Sequence, residues 1–131
     1  MLARELLGLR RMSRARVIFG KTGEDLACCE LERRGYAIIE RRYRRRRGEL
    51  DIIARDGPVL VFVEVKTRSG RRFGDAAEAV TFTKRRRIAQ LASEYLLRHR
   101  MSDCPCRFDV VSVHVDAGTP AVEIIRNAFD V

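Results

Sequence analysis

Nowhere in the 131 residues is there an apolar run approaching the roughly 20 needed to span a bilayer. Arginines are dispersed through Met1 to Arg16, which excludes the uninterrupted apolar core of a secretory signal. The chain is therefore expected to be cytoplasmic, with no membrane partner. Lysine is scarce: Lys21, Lys66 and Lys84 are the only three. Cysteine is present but poorly spaced. Neither Cys28-Cys29 nor Cys104-Pro105-Cys106 has the gap of two or more residues usual in a four-thiolate zinc site, so free thiols are expected. No recognition-helix or stacking-aromatic pattern suggests readout of bases, and no internal repeat is visible.

Hydrophobic residues make up 46%, which argues against wholesale disorder, and the length suits one domain with a real core. The charge is lopsided, with 27 Lys+Arg against 18 Asp+Glu and a net +9. Nearly all of the positive charge is arginine, whose planar fork suits phosphate, so nucleic acid is the expected partner. Residues 1–18 read as a basic tail or frayed helix, poorly ordered as termini often are. Residues 19–131 read as the folded domain.

A helix is expected from about Thr22, where Thr22 and Asp25 resemble a capping box, to a stop at Gly35. Glu24, Ala27, Cys28 and Leu31 fall on one of its faces. A strand starts at Tyr36-Ala37-Ile38-Ile39 and runs into Arg41–Arg47, six arginines in seven residues. Regular alternation would fan Arg42, Arg44 and Arg46 over one face and Arg41, Arg45 and Arg47 over the other. Residues 69–75, with Gly70 and Gly74, read as a mobile loop. A second helix is expected from about Thr83 to Arg98, with Ile88, Leu91, Ala92, Tyr95 and Leu96 as its apolar stripe. Its first turn, Lys84-Arg85-Arg86-Arg87, sets cations against the helix dipole, which suggests an external anion. Lys84 shares the inward face of Ile88, whereas Arg85 and Arg86 point outward. Strands at about Arg107–Val115 and Ala121–Ile125 complete the order α-β-β-β-α-β-β, a small α/β layer structure.

The centre of the chain carries the chemistry. Gly48-Glu49-Leu50-Asp51-Ile52-Ile53-Ala54-Arg55 and Val59-Leu60-Val61-Phe62-Val63-Glu64-Val65-Lys66-Thr67-Arg68 read as two strands joined by the turn Asp56-Gly57-Pro58. Ionised groups inside apolar strands are costly unless paired or bound to a metal. If Arg55 pairs with Leu60, Asp51 stands opposite Glu64 and Glu49 opposite Lys66, with Cβ atoms roughly 4.5–5.5 Å apart. Two carboxylates that close repel unless a cation or a shared proton intervenes. A hard divalent ion, Mg²⁺ or Mn²⁺, suits such a pair, with the Val65 carbonyl as a third ligand and Lys66 beside it. The plainer alternative is a set of surface ion pairs on a wet sheet face, contributing ~0–1 kcal/mol each. For Glu24, an acid in the first turn of a helix is equally explained by the helix dipole.

Asp51 followed by Glu64-Val65-Lys66 resembles the PD-(D/E)xK nuclease core, shared by many restriction enzymes and the archaeal Holliday-junction resolvases. More closely, the chain resembles the YraN family of small endonuclease-like proteins. Gly20, Gly23-Glu24, Gly35-Tyr36, Gly48-Glu49-Leu50-Asp51-Ile52-Ile53, Phe62-Val63-Glu64-Val65-Lys66-Thr67-Arg68, Lys84, Arg107-Phe108-Asp109-Val110-Val111 and Asn127-Ala128-Phe129 carry that resemblance. Leu50 stands where the superfamily motif has proline. The resemblance implies a restriction-endonuclease-like core, a mixed central β-sheet flanked by helices. It makes Asp51 and Glu64 metal ligands, Lys66 the catalytic lysine and Glu24 the helical acid facing the same centre; Glu49 joins Lys66 and Glu24 as a catalytic candidate. The expected activity is endonucleolytic hydrolysis of DNA rather than RNA, selective for branched or nicked structures. Arg42, Arg44, Arg46, Arg47, Arg68, Lys84, Arg85, Arg86 and Arg87 would contact phosphates. A homodimer is suggested by analogy with the resolvases. The alternative is a nucleic-acid-binding module that keeps the nuclease scaffold without cutting.

Overall fold

Among the described residues two helices of opposite allegiance sandwich one sheet, and the sequence already separates their partners. The computed structural model describes residues 21–68, 80–115 and 118–130. The basic segment 1–18 and the glycine-bearing loop 69–75 lie outside the described residues. The elements are α1 (Lys21–Arg33), β1 (Ala37–Arg45), β2 (Gly48–Asp56), β3 (Val59–Arg68), α2 (Phe82–Arg98), β4 (Cys106–His114) and β5 (Ala121–Ile125). Their order is the expected one. The strands lie β1-β2-β3-β4-β5 across the sheet. All neighbours run antiparallel except β3 and β4, which are parallel and joined through α2. A parallel pair needs such a crossover, whereas antiparallel pairs can be joined by tight turns.

On α1, Ala27, Cys28 and Leu31 pack on Ile52, Ala54, Val61, Val63, Val111 and Val113. On α2, Ile88, Leu91, Ala92 and Tyr95 cover the other face, against Tyr43, Leu50, Ile53, Leu60, Phe62 and Val110. Because β3 is covered on both sides, Leu60 to Val63 is continuously buried rather than alternating. Thr81 caps α2, its hydroxyl accepting from the Lys84 N–H at 3.2 Å. Gly35, with φ 93°, ends α1 in the left-handed conformation that a side chain resists. The β2–β3 turn is tighter than the loop expected: Asp56 pairs with Val59, and Gly57 at φ 59° makes the corner with Pro58. Arg55 nevertheless pairs with Leu60, as expected. All four cysteines are free thiols. Among the described residues no helix is long and apolar enough to cross a membrane.

Candidate active site

The strict alternation expected of β1 and β2 fails twice: the register shifts between Ile38 and Glu40, and a second failure, at Arg42, builds the site. Arg41 pairs with Ile52 and Tyr43 with Leu50, so Arg42 and Asp51 lie between these pairs. Arg41 reaches α1, where its guanidinium meets Glu24 at 3.1 Å and Asp25 at 2.5 Å. Tyr43 instead belongs to the α2 core, edge-on to Tyr95 at 5.2 Å. Across from them, Ile52 is in the α1 core and Leu50 in the α2 core. Both strands therefore change faces at the same step, and Arg42 absorbs the change with a φ of 53°. A paired irregularity of this kind leaves two successive side chains on one face. Arg42, like Arg41, points to α1 and contacts Glu24 at 3.2 Å, contrary to the expected fan of alternating arginines.

The β2–β3 ladder ends at Ile52–Val63. Just beyond it, the Asp51 carboxylate takes the place of a ladder carbonyl and accepts the Val65 N–H at 2.8 Å. Asp51 lines a cleft of about 340 Å³ beside α1, with Glu24, Arg42, Arg44, Glu49, Val65 and Thr67. Glu64 belongs by parity to the α2 side. It is 4% exposed, with the Lys84 ammonium 2.5 Å away and the Lys66 ammonium at 3.9 Å. The simple expectation of Asp51 and Glu64 opposed on one flat face is thus corrected. The displaced Asp51 and Glu64 come together where the two strands part, near enough for the Glu64 charge to act on the Asp51 carboxyl. Burial first, and the Glu64 charge second, push the Asp51 carboxyl up to about 7, against the Val65 N–H and Lys84, which pull it down. Burial opposes the charge of Lys84, but its hydrogen bond and attraction to Glu64 prevail and hold its pKa above the ordinary lysine range.

The other expected residues divide. Glu49 does not stand opposite Lys66: it lies on the α1 side, held by Arg44 at 3.0 Å. Lys66 is aligned with Ser112 of β4. Glu24 does face the cleft and is 8% exposed, but Arg41 and Arg42 neutralise it. Arg46 and Arg47 form the exposed β1–β2 turn and make no ion pair with a described residue. Arg68 ends β3, its carbonyl accepting from Val115 N–H. Arg85 does not simply point outward; it donates to the Val80 carbonyl at 2.9 Å and lies over the Phe129 ring. Arg86 and Arg87 are exposed on α2.

Among the described residues no group of three or more His, Cys, Asp or Glu side chains is gathered to hold a metal. The carboxyl pair Asp51–Glu64 still fits a hard divalent ion, which takes one or two protein carboxylates and completes its shell with waters and phosphate. Burial and, after it, the charge of Glu64 disfavour an ionised Asp51, and such an ion would offset both.

Sequence reasoning missed Thr67, which lines the cleft and packs so closely on Gly23 that a Cβ there would meet its hydroxyl. It also missed a buried network at the other end of the sheet. There Asp109, fully buried, accepts from Tyr36 Oη at 2.8 Å, Arg107 Nε at 2.8 Å and the Asn127 N–H at 2.9 Å. The signal for it was present: Arg107 and Asp109 repeat the charged i, i+2 strand spacing of Glu64 and Lys66.

Among the described residues, a five-stranded mixed sheet between two helices, with an acid pair and two lysines at a parting of strands, defines a small α/β protein. Residues 23–113 match the model of the uncharacterised protein family UPF0102. A UPF0102 protein of Symbiobacterium thermophilum is 54% identical over 111 residues, covering 84% of this chain and 94% of that protein. Relatives in Geobacter metallireducens and Frankia alni are 47% and 49% identical, covering 91% and 98% of their own lengths. The chain belongs to the UPF0102 family.

Proposed function

We propose that this chain is a Mg²⁺- or Mn²⁺-dependent DNA endonuclease with a restriction-endonuclease-like core of the PD-(D/E)xK type. The observation that carries the reading is the convergence of Asp51 and Glu64, partly and almost wholly buried, with Lys84 and Lys66 beside Glu64. Repelling acids are an expensive arrangement for stability alone. Asp51 and Glu64, with the Val65 carbonyl, are the groups that would hold the ion. When bound there, a divalent ion supplies positive charge against a phosphate oxygen and acidity to water. Lys66 offsets charge building on the scissile phosphate and orients the attacking water. Lys84 pairs with Glu64, and Arg44, Arg46 and Arg47 hold the flanking phosphates without reading sequence. The proposed substrate is branched or nicked DNA in the cytoplasm, taken by a homodimer.

Incubation of wild type, Asp51→Ala and Lys66→Ala with branched, nicked and single-stranded DNA in Mn²⁺ tests the reading. Cutting by wild type and a loss of about 100-fold or more in each variant is expected. Cutting that survives both substitutions assigns it to another site or protein. The second reading, a binding module without cleavage, draws on the clamp of Arg41 and Arg42 on Glu24, which closes one acid off by internal ion pairs. Binding without cutting across the panel selects it.

A further inference from the structure

We propose that Phe82 is a stacking platform for an unpaired nucleobase, so that the substrate must present single-stranded nucleic acid beside the acid centre. This names the substrate class of the proposed nuclease and rests on that reading for its purpose, though not for its test. Phe82 is 73% exposed, a large apolar ring left in water. An exposed ring standing alone would mean little. This one opens on a cavity of about 260 Å³ shared with Thr83, Arg86, Arg87 and Gln90. The Arg86 guanidinium lies over the ring, 5.9 Å from its centroid, and no acid stands in the first turn of α2. Arg87 runs against the end of β2, where a Cβ on Gly48 would come within 3.0 Å of its Cδ. That contact joins the Phe82 cavity to the exposed Arg46–Arg47 turn in one basic surface. Within the same helical turn, Lys84 reaches Glu64.

Three chemistries meet there: a flat apolar face, guanidinium groups for phosphate, and the Gln90 carboxamide for a base edge. Single-stranded nucleic acid has all three complements. Inside a duplex the base faces are already stacked on each other, so an unpaired base can cover Phe82 where a base within the duplex cannot. The platform escapes a search of the sequence for aromatic patterns because Phe82 has no neighbouring aromatic to repeat with.

The test is fluorescence anisotropy of the full chain, without divalent metal, on labelled single strands, blunt duplexes and duplexes carrying an unpaired tail. Wild type is expected to prefer the single and tailed strands. Phe82→Ala should weaken those roughly 5- to 150-fold while leaving blunt duplex within about twofold, and Phe82→Trp should restore them. Arg86→Gln should lower the salt slope by roughly one on every substrate. Unchanged single-strand affinity in Phe82→Ala, or an equal loss on blunt duplex, overturns the platform and leaves cleavage to be judged by Asp51→Ala. A wild type that binds no nucleic acid also overturns it and leaves the patch to a protein partner. Cutting that survives Asp51→Ala while the Phe82 effect holds sinks the nuclease reading alone.

Discussion

If Asp51 is kept for chemistry, removing its charge should make the metal-free protein more stable. Its carboxyl is pushed from 3.8 up to about 7 by burial and by Glu64. A carboxyl whose pKa is raised in the folded state contributes stability that is fully present below its unfolded pKa and lost as pH rises through the folded value. A tenfold change in proton affinity is worth about 1.4 kcal/mol, so at pH 8 the ionised Asp51 costs the fold a few kcal/mol at most. Asp51→Asn keeps an oxygen for the Val65 N–H and removes the repulsion. Because the amide must also find partners of its own, a gain of about 1–3 kcal/mol is expected, or roughly 3–6 °C in Tm per kcal/mol.

The measurement is chemical denaturation of both proteins in chelator, from pH 4 to pH 8. Groups elsewhere titrate equally in the two proteins and cancel in the difference. The advantage of Asp51→Asn should be full near pH 8 and shrink toward pH 4.5, where the wild-type carboxyl is protonated in the fold. Adding Mn²⁺ at pH 8 should then close most of the gap or reverse it. An ion at 100 times its Kd stabilises wild type by about 2.7 kcal/mol and the variant much less. A variant less stable than wild type at pH 8, or a gap that does not change with pH, would refute the claim that the acids are held together against their repulsion.

The Asp109 network should behave in the opposite way. Asp109→Ala leaves Arg107 without its shorter carboxylate contact and should cost about 3–5 kcal/mol in denaturant unfolding, whereas Tyr36→Phe removes one hydrogen bond and should cost about 1 kcal/mol. Burial, then the Asp109 hydrogen bond, raise the Tyr36 hydroxyl to about 12, so its contribution should persist to about pH 10 and vanish by pH 12, a window absent from Tyr36→Phe. Gly23→Ala should destabilise by about 1–3 kcal/mol through its clash with Thr67, and Thr67→Ala should recover part of that in a double-mutant cycle. Timed alkylation read by mass spectrometry should modify exposed Cys106 first and Cys28 last, since Cys28 is 7% exposed and burial lifts its thiol to about 11.

The elements were legible because their signals were strong and local. The apolar stripes of α1 and α2 appear where their spacing puts them, and the run from Leu60 to Val63 announces a strand covered on both faces. What periodicity could not reveal is the coordinated change of faces at Arg42 and Asp51. Alternation is a rule about regular strands, and a two-strand irregularity leaves no mark in the apolar pattern: Leu50 and Ile52 are both apolar whichever face each takes. Had the strands stayed regular, Leu50 and its partner Tyr43 would have joined Ile52 against α1 and left Tyr95 without the Tyr43 ring. The α2 core therefore favours the irregular pairing, which leaves Asp51 at the parting of β2 and β3 with Glu64 in reach. The same packing that stabilises one layer thus moves Asp51 toward the α1 cleft while leaving it near enough to feel Glu64. This is why a flat-hairpin drawing recovers the partners Asp51 and Glu64 but assigns Glu49 to the wrong neighbour.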